Sequence, residues 1–441
     1  MRPERAEESS GKAIRGEYNY LASTTEPPIT FGGMLSACAR LLLAKIMNAF
    51  GNPPVQVVLW NGLVVPGNQG CGVARVVIRD PGALVKLFID HELYFGELYS
   101  EGRIEVQGNL LEFLEAVFRV WPLRSQDKVI KKLLAPIYDV RRNTIIGARR
   151  NIRHHYDIGN SFYKLWLEER MVYTCAYFAH GAASLEEAQL AKMDHVCRKL
   201  RLQPGDAVAE AGCGWGALAM HMARHYGAKV RAYNISTEQI AYARQRAAAD
   251  GLDGLVEFVE DDYRNVRGKF DAFVSVGMLE HVGTEHYQEL GAVIDRCLKP
   301  DGRGLIHTIG LNYPRPMDAW AERHIFPGAS PPSLAQMMQI FEPFDFSVLD
   351  VENLRMHYAR TLEHWLQRYE DNIERVREMF DERFVRAWRL YLAGSLTTFK
   401  TGDMQLFQVC FARAGNNQIP WTRQYLYEAP LVSTGADHAR L

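Results

Sequence analysis

A β-like run over residues 207–211 ends in Gly212-Cys213-Gly214-Trp215-Gly216-Ala217 and passes at once into a helical pattern. Glycines this closely spaced at a strand-to-helix turn let backbone approach a ligand, and such a turn belongs at a crossover of an open parallel sheet. The surrounding pattern agrees. Short apolar runs at 207–211, 229–234, 256–260, 272–276 and 304–308 alternate with helical spacing at 217–226, 238–249 and 284–297, the last leading into a turn at Lys299-Pro300-Asp301-Gly302. That alternation predicts a doubly wound, Rossmann-like α/β domain over 154–441.

The 441 residues exceed one ordinary domain. A smaller N-terminal α+β domain is expected at 31–125, with strands near 55–65 and 73–78 and helices near 81–90 and 109–118. A polar stretch at 1–30 reads as a flexible leader. Residues 126–153 read as a basic connector holding Arg141, Arg142, Arg149, Arg150 and Arg153, either a solvated helix face or a site for anionic lipid head groups. Lysine plus arginine total 51 against 52 acidic residues, so no global basic field points to nucleic acid. At 47% hydrophobic and 23% charged residues, disorder and fibrous repeats are excluded. The seven cysteines are scattered without a C-x-x-C pair, which reads as reduced thiols in a cytoplasm. The most apolar stretch, 34–50, carries Arg40 and Lys45, so no membrane span is expected.

Taken alone, the glycine turn fits a dinucleotide or S-adenosylmethionine (SAM) equally, or a tight turn with no ligand. Two neighbours favour SAM. Glu210, two residues before the first glycine, would repel a pyrophosphate but suits a cationic methionine amino group. The next strand ends in Tyr233-Asn234, and Asn234 with Gln239 offers ribose partners where a dinucleotide site would place an acidic residue. Asp262 and Tyr263, after the third strand, place a carboxylate and a ring where an adenine amino group would lie. Further polar groups recur near strand ends: Glu280 and His281 after 272–276, His307 in 304–308, Cys175 among aromatic residues upstream, and Tyr358 downstream. Each singly reads as an ordinary core residue. The Cys, His and Glu residues do not form the close pairs of structural zinc sites, and no metal is expected.

Together these segments resemble one family. His155-Tyr156-Asp157-Ile158-Gly159-Asn160, Tyr173 to Phe178, Leu185-Glu186-Glu187-Ala188-Gln189, the glycine turn, Val274 to Gly283, His307-Thr308-Ile309-Gly310 and Ile325-Phe326-Pro327-Gly328 follow the order of the cyclopropane-fatty-acyl-phospholipid synthases, which include the mycolic acid cyclopropane synthases. The first zone, through Phe95 to Tyr99 and Gly102 to Val106, is similar to the small lipid-associated domain of longer members. The resemblance implies a SAM-dependent methyltransferase that converts double bonds in membrane phospholipid acyl chains to cyclopropanes, or, in a related C-methyltransferase, to methyl or methylene branches. It implies bicarbonate held by Cys175, Glu280, His307, the backbone of Ile309, and Tyr358. The implied SAM contacts are Tyr173, Thr174, Glu210, Gly212, Gly214, Asn234, Gln239, Asp262 and Tyr263. Asn234 stands where members often carry Thr, and Ser395 where several carry a cysteine. It further implies a cytoplasmic protein attached peripherally to the membrane, and a homodimer.

An alkene is a weak nucleophile, so the chemistry requires a dry pocket in which a carbocation escapes water. Tyr177, Phe178, Tyr313, Trp320 and Phe326 are candidate walls. An acyl chain also costs on the order of 10 kcal/mol to expose to water. Docking on the bilayer is therefore expected, through the arginine cluster and the apolar face of 34–50.

Overall fold

The computed structural model describes residues 33–67, 72–121, 158–179 and 184–427. The leader and the basic connector expected at 126–153 lie outside the described residues. Two sheets organise the rest. Strands β1 (Val55–Leu59), β2 (Val64–Val65), β3 (Ala74–Ile78) and β4 (Ile104–Gln107) form a four-stranded sheet in the order β2-β1-β3-β4, with β1 and β3 parallel and the other pairs antiparallel. The run expected at 55–65 is thus two strands, because Gly62 at φ 78° turns the chain between them. Helices Gly33–Ala49, Pro81–Ile89, His91–Ser100 and Leu110–Val120 accompany this sheet. Asp80, Asp90 and Asn109 cap the last three by accepting from their first-turn N–H groups.

The second sheet has seven strands: β5 (Ala207–Ala211), β6 (Lys229–Asn234), β7 (Val256–Glu260), β8 (Phe270–Val276), β9 (Leu298–Gly310), β10 (Phe346–Asn353) and β11 (Gln405–Arg413). Their order is β10-β11-β9-β8-β5-β6-β7, in which only β11 runs antiparallel to its neighbours. The doubly wound sheet expected from the sequence is therefore present. Strand order reverses at β5, whose neighbours are β6 on one side and β8 on the other, and ligands of such sheets bind beyond that switch point. The Lys299-Pro300-Asp301-Gly302 segment does not end an element as expected. It bulges within β9, since β8 residues Phe270 and Ala272 pair with Leu298 and Arg303.

Gly216 shows why the first crossover needs glycine. Its φ is 84°, and a Cβ there would stand 2.5 Å from the Phe258 ring and 2.9 Å from the Ala243 Cβ. Beyond the sheet come helices Arg355–Asp371, Ile373–Met379 and Glu382–Thr401, the last of which packs on helices His91–Ser100 and Leu110–Val120 of the smaller sheet unit. Arg386 donates to the carbonyls of Tyr99 (2.6 Å) and Ile104 (3.0 Å), and Lys400 pairs with Glu115 at 2.6 Å. Gly96 lies so close to Trp320 that a Cβ would meet the indole at 2.4 Å. No described helix is long and apolar enough to cross a membrane.

Candidate active site

The glycine turn is held by its neighbour strand. Gly212 and Cys213 donate to the Tyr233 carbonyl at 2.9 and 3.1 Å, at φ 84° for Gly212 and 52° for Gly214. Asn234 Nδ2 donates to the Gly214 carbonyl (3.3 Å) and to Gln239 Oε1 (2.7 Å), so these three expected SAM residues meet. A Cβ on Gly214 would meet no protein atom within 4 Å, which leaves open space where a cofactor's backbone would run. Glu210 is buried beneath the turn with Oε2 lacking a partner. Burial raises its carboxyl, and burial lowers the ammonium of nearby Lys192, so both drift toward neutral. Lys192 Nζ donates to Thr174 Oγ1 at 3.0 Å. Asp262 is buried and accepts from Arg264 through backbone and guanidinium. Tyr263 follows Asp262 and is buried, with the Arg264 guanidinium 4.9 Å over its ring.

Tyr173, Thr174 and Cys175 lie on an irregular segment before helix Leu185–Leu200. Its shape is set at both ends. The Glu168 carboxylate accepts from Arg170 N (2.8 Å) and Val172 N (2.9 Å), stabilising Met171 at φ 59°. Gln189 Nε2 donates to the Thr174 carbonyl at 2.9 Å, and Thr361 Oγ1 accepts from Ala176 N at 3.0 Å. Gln189 and Lys192 share the inward face of helix Leu185–Leu200, whose start is fixed by a capping box between Ser184 and Glu187.

One cavity of about 450 Å³ joins the remaining candidates. Cys175, Glu280, His307, Ile309 and Tyr358 all line it, with Tyr173, Thr174 and Gly277 on the side of the glycine turn. Glu280 Oε1 accepts from Ile309 N at 2.5 Å, while its Oε2 is buried without a partner. His307 is likewise buried, with Nε2 unpartnered. Burial pushes the Glu280 carboxyl up to about 7 and holds His307 well below the usual imidazole range. Burial also keeps the Cys175 thiol far above its ordinary value, so it is no thiolate. Trp320 and Phe326 line the cavity as expected, but Tyr177, Phe178 and Tyr313 do not. Tyr177 stacks between His195 and His357, Phe178 stacks on His364, and Tyr313 is exposed. Ser395 lines the cavity from the late helix.

Gln408 was not anticipated. Fully buried on β11, it lies 3.0 Å through Nε2 from His307 Nδ1. The available signal was an amide inside an otherwise apolar, wholly buried strand, which requires a specific partner.

The strand order, the glycine turn at the switch point and the polar groups around it define a SAM-dependent methyltransferase. Comparison with known proteins narrows this class. The model of the mycolic acid cyclopropane synthetase family matches residues 144–409, and that of a domain of unknown function matches 42–122. A probable fatty acid methyltransferase of Pseudomonas putida is 34% identical over 85% of this chain and 96% of its own length. The cyclopropane-fatty-acyl-phospholipid synthase of Escherichia coli is 36% identical over 79% and 90%. A mycolic acid cyclopropane synthase solved with SAH and CTAB superposes with a TM-score of 0.57 at 29% identity, covering 60% of this chain and 97% of that one. The chain belongs to the mycolic acid cyclopropane synthetase family, whose relatives are SAM-dependent, lipid-modifying methyltransferases.

Proposed function

We propose that the chain adds the methyl carbon of SAM to a double bond in an acyl chain of a membrane phospholipid and closes a cyclopropane ring. The observation that carries this reading is the pair of partnerless buried atoms, Glu280 Oε2 and His307 Nε2, on the wall of an apolar cavity. Buried polar atoms require partners, and a small oxyanion with hydrogen-bonding capacity fits between a carboxyl and an imidazole. Bicarbonate would be held by Glu280, His307, Tyr358, Cys175 and the Ile309 backbone, and when bound it supplies a base for the proton lost from the added carbon. The protein's own work is positioning. Tyr173 and Thr174 sit between the glycine turn and the cavity, Glu210 attracts the methionine ammonium, and Gly212, Gly214, Asn234, Gln239 and Asp262 hold the rest of SAM. Trp320 and Phe326 line the cavity, where they exclude water and offer aromatic rings to developing positive charge.

Incubation with methyl-labelled SAM and unsaturated phospholipid vesicles tests this reading. Label is expected in the acyl chains after saponification; label only in the head-group fraction, or none, rejects it. A second reading, a branching C-methyltransferase, is favoured by the fatty acid methyltransferase among the relatives. It shares the first bond-forming step and differs in where the proton leaves.

Gln408 acts here as a positioning residue for His307. Gln408→Leu leaves His307 Nδ1 buried without its partner, a loss of about 1–3 kcal/mol. Turnover is expected to fall by about tenfold while the KM for SAM stays near that of the parent. An equal rise in that KM would assign Gln408 a merely structural role.

Membrane contact needs a revised surface. The apolar face of helix Gly33–Ala49 is not free, because Leu43, Ile46 and Met47 are buried in the smaller unit's core. Leu41, at 67% exposed, and Val85, Phe88 and Ile89 on the adjoining helix Pro81–Ile89 instead face outward. Lys45 stands 5.7 Å over the Phe88 ring, giving this patch a cation beside exposed hydrocarbon. The double substitution Leu41→Asp and Phe88→Asp is expected to reduce co-sedimentation with anionic vesicles several-fold, as is replacement of the five connector arginines by Gln. Unchanged sedimentation in either case removes that surface from the account. The peripheral, cytoplasmic location and the homodimer belong to the same proposal, as does the division into 31–125, 126–153 and 154–441.

A further inference from the structure

The cavity does not end at Glu280 and His307. It continues out of the seven-stranded domain, past the contact of Gly96 with Trp320, and into the interior of the four-stranded unit. There its wall is one face of the small sheet: Val57 on β1, Val76 and Ile78 on β3, and Ile104 on β4. The opposite wall comes from the helices, through residues such as Leu87, Phe113 and Val117. These sheet and helix residues are buried, and all are hydrocarbon or aromatic. Protein interiors are normally filled to crystal-like density, and a unit this small has little core to give up. Space left between its sheet and helices therefore points to a ligand that completes the core.

The lining dictates the chemistry of that ligand. The four sheet residues offer no hydrogen-bond partner, so an ester, phosphate or hydroxyl placed among them would lose its solvation without replacement. The opposite edge of the cavity is different. At the loop of Arg315, Pro316 and Asp318 the lining reaches solvent, and Arg315 pairs there with Asp403 at 2.6 Å. The polar end of an amphiphile belongs at this edge. Its volume lies within the range of pockets that enclose a whole small ligand.

The geometry points to a hydrocarbon subsite inside the four-stranded unit, which takes the methyl-terminal part of the acyl chain, beyond the double bond held at Glu280 and His307. The inference rests on the proposed acyl-chain chemistry and adds a role for the segment that the model of a domain of unknown function matches. The small unit is then a part of the substrate site. It measures how much chain extends past the reacting carbons, and thereby selects double-bond position.

Photolabelling the wild-type full chain tests this directly. An unsaturated phospholipid carrying a diazirine at the methyl end of its acyl chain is irradiated in vesicles with the protein, and adducts are mapped by peptide mass spectrometry. Adducts on the inner residues of 55–117, Val76 and Ile104 among them, are expected, and excess unlabelled lipid should suppress them. Adducts confined to the seven-stranded domain, or to the outward-facing Leu41 and Phe88, overturn the subsite. Methyl transfer is measured on the same preparation. Transfer with adducts elsewhere removes the subsite and leaves the proposed function; suppressible adducts at Val76 without transfer do the reverse. In a second arm, Val76→Phe is compared with the parent on lipids having long or short chain beyond the double bond. The long-to-short ratio of kcat/KM is expected to fall about tenfold, and an unchanged ratio contradicts the subsite.

Discussion

Glu280→Gln is expected to lower turnover by about a thousandfold, within the range that a positioned proton-transfer group contributes. The substitution keeps side-chain shape and can still accept from Ile309 N, which Glu280 Oε1 does at 2.5 Å. What it removes is the carboxyl of a residue that lines the same cavity as His307 and whose Oε2 is buried without a partner. SAM binding measured by calorimetry should remain within a few-fold of the parent, because Glu280 is not among the residues proposed to hold SAM. A variant that binds SAM and retains more than a tenth of parental turnover would exclude Glu280 from the chemistry.

The second large effect concerns the fold. Gly216→Val places a branched side chain at φ 84°, where a Cβ already meets Phe258 at 2.5 Å and Ala243 at 2.9 Å. Left-handed strain and overpacking each cost about 1–3 kcal/mol, so the seven-stranded domain is expected to lose about 3 kcal/mol or more. The transition midpoint should drop by roughly 6–12 °C on the scale of domains this size. Gly214→Ala is the contrast, since a Cβ there meets no protein atom within 4 Å. At φ 52° it carries left-handed strain without the overpacking, so it should lose clearly less melting temperature than Gly216→Val while binding SAM more weakly. Equal melting losses in the two variants would mean that Gly216 has no special packing role.

Strands β5 to β9 were legible because each is a short apolar run beside a turn. The runs expected at 207–211, 229–234 and 256–260 coincide with β5, β6 and β7. β10 and β11 were not seen. Phe346–Asn353 alternates weakly, with a bulge between Val348 and Asp350, and Gln405–Arg413 is buried on both faces, so neither carries a period-two pattern. The candidate site followed the same division. Residues that sit at strand ends or in a recognisable motif, such as Glu280, His307 and Cys175, line one cavity. Gln408 and Lys192 escaped notice because their partners, His307 and Thr174, are remote in sequence and reached only through tertiary packing. The apolar face of 34–50 was readable as a face, but not what it packs against. Sequence periodicity marks burial without naming the partner, and here the partner is the smaller unit's own core.

On the proposed function, the cavity lined by Glu280 and His307 is where an acyl double bond becomes a ring. Fatty acids released from vesicles after reaction with labelled SAM can be weighed by mass spectrometry before and after mild hydrogenation. Products heavier by one CH₂ that take up no further hydrogen are the predicted result. A product of the same mass gain that hydrogen still reduces would contradict ring closure and make the chain a branching methyltransferase.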